Sequence, residues 1–209
     1  MEFVKDPRLI EQGSFEIISR ELGERDFGPI EGSIIKRIIH TTADFEYADI
    51  TQIHPEAIEA GMRALRSGCK IYTDTQMIMS GINKRKLMGL GGSIVNLVHE
   101  PETARIAECE GITRSMAAMR MAAIDESIKI FAIGNAPTAL FTLKSLIEEG
   151  IAKPELIIGV PVGFVGAAES KEEIKKAGVP YIITSGRKGG STVAAAIVNA
   201  LLYSMPEQE

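Results

Sequence analysis

From about Lys70 onward the chain repeats one pattern: a short apolar run, a turn rich in Gly, Pro, Asn or Asp, then apolar residues at helical spacing. Such alternation marks β-α units built around a mostly parallel sheet. It predicts strands near Lys70 to Thr73, Ile94 to Val98, Ile128 to Ile133, Leu156 to Val160 and Tyr181 to Thr184. The last three are rich in Ile, Val and Phe and scarcely alternate, as strands covered on both faces do. Helices are expected at Pro137 to Glu149, Ala167 to Lys176 and Ser191 to Tyr203, with one or two more between Pro101 and Asp125. The expected class is α/β, three-layered, with a mostly parallel sheet flanked by helices.

The first third reads differently. Ile30, Ile34, Ile35, Ile38 and Ile39 draw one apolar stripe on a helix, and Pro29 suits its first turn. Phe15, Ile18 and Leu22 suggest a helix before it. A helix after it is suggested by Pro55, Ile58, Met62 and Leu65, with Gly68 as its stop. No convincing strand precedes residue 69. This helical N-terminal region is expected to pack on the sheet or on a second subunit.

At 209 residues, with 45% hydrophobic and 24% charged residues, the chain reads as a single globular domain over 1–209, with no linker, repeat or low-complexity tract. Its net charge of -5 excludes a broad basic face for nucleic acid or an anionic bilayer. Cys69 and Cys109 stand alone, without the spacing of a zinc site or a disulfide framework, which suits a reducing cytoplasm. Met1 to Arg8 carry charges and no long apolar region, and no run of about 18 apolar residues occurs, so neither an export signal nor a membrane span is expected.

In open parallel sheets, ligands bind beyond the carboxyl ends of the strands, where loops lead into helix N-termini. The predicted strands run into Asp74-Thr75-Gln76-Met77, Gly134-Asn135-Ala136-Pro137-Thr138, Pro161 to Gly166 and Ser185 to Ser191. Together these can form one polar, Gly-rich rim that lets backbone approach a ligand, with Thr75, Asn135, Gly163, Arg187 and Ser191 as contact candidates. Each glycine also serves simply as a tight turn. None has the spacing of a dinucleotide or P-loop fingerprint. Three basic clusters, Lys84-Arg85-Lys86, Arg114 with Arg120, and Arg187-Lys188, stand close to these loops. They suit a ligand with several carboxylates, or else solvated surface.

Of three histidines, His40 closes the isoleucine-striped helix in Ile38-Ile39-His40-Thr41-Thr42-Ala43-Asp44. A helix C-terminus favours a cationic imidazole, as a general acid requires, while burial opposes it. His54 reads as a cap or surface residue, and His99, at a strand end, as part of a turn or a residue touching the site. His40, Asp44, Glu46, Asp49 and His54 crowd one stretch, but their spacing matches no metal-ligand pattern. No G-x-S-x-G elbow appears, and neither Cys adjoins a His.

Read in order, these segments resemble the precorrin methylmutase family from about Ser14 to Leu202. The matching stretches are Ser14-Phe15-Glu16-Ile17-Ile18, Ile39-His40-Thr41-Thr42-Ala43-Asp44-Phe45, Thr73-Asp74-Thr75-Gln76-Met77 with Gly81-Ile82-Asn83-Lys84, and Gly111-Ile112-Thr113-Arg114-Ser115. They continue with Ala132 to Leu140, Gly159 to Lys171 and Gly186 to Ser191. The resemblance implies an isomerase of cobalamin biosynthesis. It would act on precorrin-8X or its cobalt form and move a methyl group between neighbouring carbons of ring C, giving hydrogenobyrinate or cobyrinate. It implies an α/β homodimer with the active site at the subunit interface, and it maps the family's catalytic acid onto His40. It likewise assigns substrate contacts to Arg114 and Asn83, beside which Ser14, Lys84 and Arg85 stand as further candidates.

The chemistry agrees. A sigmatropic methyl shift needs no external nucleophile, redox cofactor or metal. It needs a large ligand held still and its rearranged conjugated system trapped by a proton. No cofactor is therefore expected. Two other readings stay open on residues alone: a non-catalytic tetrapyrrole carrier, and a nucleotide or sugar-phosphate enzyme using the same Gly loops.

Overall fold

A computed structural model describes residues 5–206. Its centre is a six-stranded sheet in the order β1-β6-β5-β4-β2-β3. The strands are β1 (Thr51–Ile53), β2 (Lys70–Thr73), β3 (Ser93–Val95), β4 (Ile128–Ile133), β5 (Leu156–Gly159) and β6 (Tyr181–Thr184). All neighbours run parallel except β1, which lies antiparallel on β6.

Side chains leave the strands alternately, so each strand feeds two cores. Ile71, Ile130, Ala132, Leu156, Ile158 and Ile182 enter one apolar cluster. Tyr72, Phe131, Ile133, Ile157 and Ile183 enter the other. The first face is covered by α4 (Ala57–Arg66), α5 (Gln76–Gly81), α6 (Lys84–Gly89) and α11 (Ser191–Tyr203). The second is covered by α8 (Arg114–Ala123), α9 (Pro137–Glu148) and α10 (Ala167–Ile174), with α7 (Pro101–Glu110) packed on α8. The three-layer α/β expectation holds.

The helix α11 is apolar nearly all round, with Val193 to Val198 and Ala200 to Leu202 buried. Such a helix must be covered on both sides. The sheet covers one side, and α2 (Pro29–Thr42) covers the other through Ile34, Ile35, Ile38 and Ile39. The first helix, α1 (Pro7–Leu22), begins at an Asp6 side-chain cap and buries Ile18 and Leu22 against this layer. The helical N-terminal region therefore packs on α11 and is carried with it on the sheet.

Three expectations need correction. A strand does precede residue 69: β1 pairs with β6, extended by His54 N–H to Tyr181 O at 2.9 Å and Ser185 N–H to Ile50 O at 2.8 Å. It is preceded by the single turn α3 (Tyr47–Ile50). The strand expected over Ile94 to Val98 ends at Val95, where the Asn96 side chain turns back to donate to Thr73 O at 2.7 Å. Gln76 and Met77, read as loop, open α5, and α6 follows it; the two helices are capped by the side chains of Thr75 and Asn83.

Candidate active site

The loops beyond the carboxyl ends of β2, β4, β5 and β6 are bonded to one another. Asp74 is the anchor. Its carboxylate, 3% exposed, accepts from Gly134 N–H at 2.9 Å, Asn135 N–H at 2.9 Å and Ala136 N–H at 2.8 Å. Burial pushes its pKa above the ordinary carboxylate value, and the three amide donors pull it back. Thr75 meets Ser191 through their side-chain oxygens at 2.9 Å. Gly163 N–H donates to Arg187 O at 3.1 Å, and Gly190 N–H to Val160 O at 2.8 Å.

Two glycines permit this closeness. At Gly134 a Cβ would stand 2.8 Å from Gly190 O, and at Gly189 it would stand 2.2 Å from Val160 O. No side chain fits either gap. Beneath the rim the fully buried Lys171 donates to Lys188 O at 2.8 Å and Thr184 Oγ1 at 3.3 Å. Burial lowers its pKa to about 8.

His40 sits in the last turn of α2, exposed. The helix stops at Ala43, which takes a left-handed backbone (φ 53°) and donates its N–H to Ile39 O. The turn that follows delivers Asp44 and Glu46 to the Lys188 ammonium, the latter at 2.7 Å. This pairing raises the Lys188 pKa and lowers that of Asp44. Tyr47 OH adds a bond to Gly189 O at 3.4 Å, and burial raises its pKa. The segment carrying His40 is thus tied to the β6–α11 loop. Beside it a groove of about 250 Å³ is lined by Arg37, Thr41, Met77, Gly81, Thr192 and Asn199, among others. The imidazole lies stacked on Phe15 of α1, ring centroids 5.2 Å apart.

The rim brings together Thr75, Asn135, Gly163, Arg187 and Ser191, with His40 on the adjoining turn. Arg114 opens α8, whose cap Thr113 reaches Thr138 of the β4–α9 loop at 3.4 Å, so it too stands beside the rim. Ser14 precedes Phe15, and its hydroxyl donates to Ile10 O at 2.8 Å. Asn83, Lys84 and Arg85 lie off the rim, although Asn83 N–H donates to Oδ1 of the groove-lining Asn199 at 2.8 Å. Asn83 caps α6, donates to Tyr203 OH at 3.0 Å, and with Arg85 lines a second cavity of about 510 Å³ beside Leu202 and Met205. That is the far end of α11 from Ser191, roughly 16 Å along the helix axis.

Among the described residues no carboxylate pairs with Arg114, Arg187, Lys84 or Arg85, whereas Lys188 and Arg120 are engaged, the latter with Glu110. Arg187 instead lies 5.4 Å from the ring centroid of Phe164. The acidic stretch after His40 is likewise spent on ion pairs: Asp44 and Glu46 on Lys188, Asp49 on Arg25 at 2.5 Å. His54 Nδ1 accepts from Glu56 N–H at 3.2 Å. Sequence reasoning did not find Asp74, Lys171 or Phe15 as organisers. Their partners lie across long stretches of chain, and only the presence of Asp74 in a strand-end loop hinted at a role.

Comparison with known proteins meets this geometry. The profile of the precorrin-8X methylmutase family matches residues 9–204. The cobalt-precorrin-8 methylmutase of Salmonella typhimurium is 49% identical, over 99% of this chain and 100% of its own. That of Priestia megaterium is 48% identical, over 93% and 87%. The crystal structure of the precorrin-8x methyl mutase from Thermus thermophilus superimposes with a TM-score of 0.85 at 41% identity, covering 94% of this chain and 95% of that one. Sequence motifs, sheet topology and these likenesses agree: the chain belongs to the precorrin-8X methylmutase family.

Proposed function

We propose that this enzyme moves a methyl group between neighbouring carbons of ring C of cobalt-precorrin-8 or precorrin-8X, giving cobyrinate or hydrogenobyrinate in cobalamin biosynthesis. Cobalt-precorrin-8 is the first candidate, because relatives at 49% and 48% identity carry that name. His40 is the general acid. The observation that carries the reading is a loop rim bonded into one unit, with the only histidine of the matching I-H-T-T motif on the turn tied to it by Lys188.

The residues divide the work. Arg114 and Arg187, with no carboxylate partner among the described residues, pair with carboxylates of the substrate. Thr75, Asn135, Gly163 and Ser191 supply polar contacts from the rim, and Ser14, Asn83, Lys84 and Arg85 bind the periphery. The methyl carbon bonds to one ring carbon as it leaves the next. His40 donates a proton to the rearranged conjugated system, and a proton lost from the substrate restores the imidazolium, so no second reagent is consumed.

The reading takes residues 1–209 as one methylmutase domain that works as a homodimer in the cytoplasm, with the site at the interface. One feature supports pairing: Phe164 and Val165 of the β5–α10 loop are 84% and 89% exposed. The exposed thiol of Cys109 suits a reducing compartment. The test is turnover. Protein is mixed with cobalt-precorrin-8 or precorrin-8X, denatured, and the released pigment's spectrum recorded. A changed spectrum with wild type and an unchanged one with His40→Asn is expected; isomerisation by His40→Asn at the wild-type rate removes His40 from the mechanism.

A further inference from the structure

We propose that Phe15 is a positioning residue for His40, setting the plane of the imidazole so that its N–H points where the proton must go. The inference rests on the reading of His40 as the acid. Among the described residues no hydrogen bond holds the His40 side chain, and no carboxylate orients it. An exposed histidine at a helix end otherwise keeps its rotamers and the broad two-fold freedom of its ring torsion. What it has instead is a stack: the Phe15 ring lies 5.2 Å away at 23° to the imidazole plane.

The stack is itself braced. Arg37, one turn before His40 on α2, places its guanidinium 5.4 Å from the Phe15 centroid and 4.1 Å from that of Tyr203. Glu11 of α1 meets the same guanidinium at 3.5 Å. Phe15 is therefore wedged between two side chains of α2 that share a face, while α1 is fixed by its cap and by buried Ile18 and Leu22. An imidazole donates in the plane of its ring. Covering one face with a parallel ring leaves the N–H edge free but restricts its direction, which is the condition for efficient proton transfer.

Phe15→Leu keeps apolar packing and removes the stack, and Phe15→Tyr restores it. Single-turnover conversion, product affinity and the ring-proton NMR resonances of His40 are measured for each. Phe15→Leu is expected to slow conversion roughly tenfold or more, with product affinity held within about twofold. Phe15→Tyr should recover most of the rate, and the His40 ring protons, shifted upfield in wild type and Phe15→Tyr, should lose that shift in Phe15→Leu. A wild-type rate in Phe15→Leu overturns the inference. So does a rate loss matched by an equal loss of affinity and not recovered by Tyr, or the lack of an upfield shift in wild type. His40→Asn separates the two levels: if it is inactive while Phe15→Leu is normal, only the positioning role falls; if it turns over normally, the acid assignment falls as well.

Discussion

The side-chain oxygens of Thr75 and Ser191 lie 2.9 Å apart across 116 positions of sequence, joining the end of β2 to the first residue of α11. Thr75 also accepts from Ile78 N–H at 3.2 Å as the cap of α5. Thr75→Val therefore loses a cap and a bridge, whereas Ser191→Ala loses the bridge alone. Urea unfolding is expected to register about 1–2 kcal/mol for Thr75→Val and under about 1 kcal/mol for Ser191→Ala. Equal losses would show that the bridge, and not the cap, dominates, and a larger loss in Ser191→Ala would refute this account of the pair.

Arg114 is exposed at the start of α8 with no acidic partner among the described residues. Arg114→Ala should leave the fold intact and weaken corrinoid product binding by roughly ten- to a hundredfold, the cost of leaving a substrate carboxylate unpaired in a partly dry site. Absorbance titration measures this directly, and unchanged affinity would rule out the contact.

Tyr72 is fully buried and its hydroxyl has no hydrogen-bond partner among the described residues. Deleting an orphaned polar atom relieves its desolvation cost. Tyr72→Phe is expected to be neutral or to stabilise by up to about 1 kcal/mol in urea unfolding, with turnover unchanged. A loss of stability would reveal a partner for that oxygen.

Lys171 has a pKa lowered to about 8 by burial, from an ordinary 10.5. Below pH 8 both folded and unfolded chains carry the charge. Between about 8 and 10.5 the folded protein releases a proton that the unfolded chain keeps, so this residue makes stability rise with pH across that window. Urea midpoints measured from pH 7 to 10 should show a steeper rise in wild type than in Lys171→Met. Parallel curves would mean the ammonium does not titrate early.

Much of the sheet was legible because its signals are local. The limits of β2, β4, β6 and α11 coincide with the apolar runs and helix starts read from the chain, and Pro29 and Pro137 open helices as their fixed φ dictates. β1 was not legible: Thr51-Gln52-Ile53 is short, has a polar centre, and owes its existence to β6, over a hundred positions away. The helices α5 and α6 are six residues each, too short for a period to show, though Thr75 and Asn83 are recognisable caps three residues before the amides they accept. At the site, the family motifs pointed to His40, Arg114 and the Gly-rich loops. The clasp of Asp74 on three amides, the Phe15 stack and the capture of Lys188 by Asp44 and Glu46 are tertiary facts that no spacing encodes.

Both outermost strands, β1 and β3, are only three residues long. A foreign β-segment seeking to extend this sheet finds at either margin too few free amides and carbonyls to zip onto, which protects the protein from edge-to-edge aggregation. Self-association is thereby directed away from backbone ladders and onto side-chain surfaces, where partner choice is set by shape and charge.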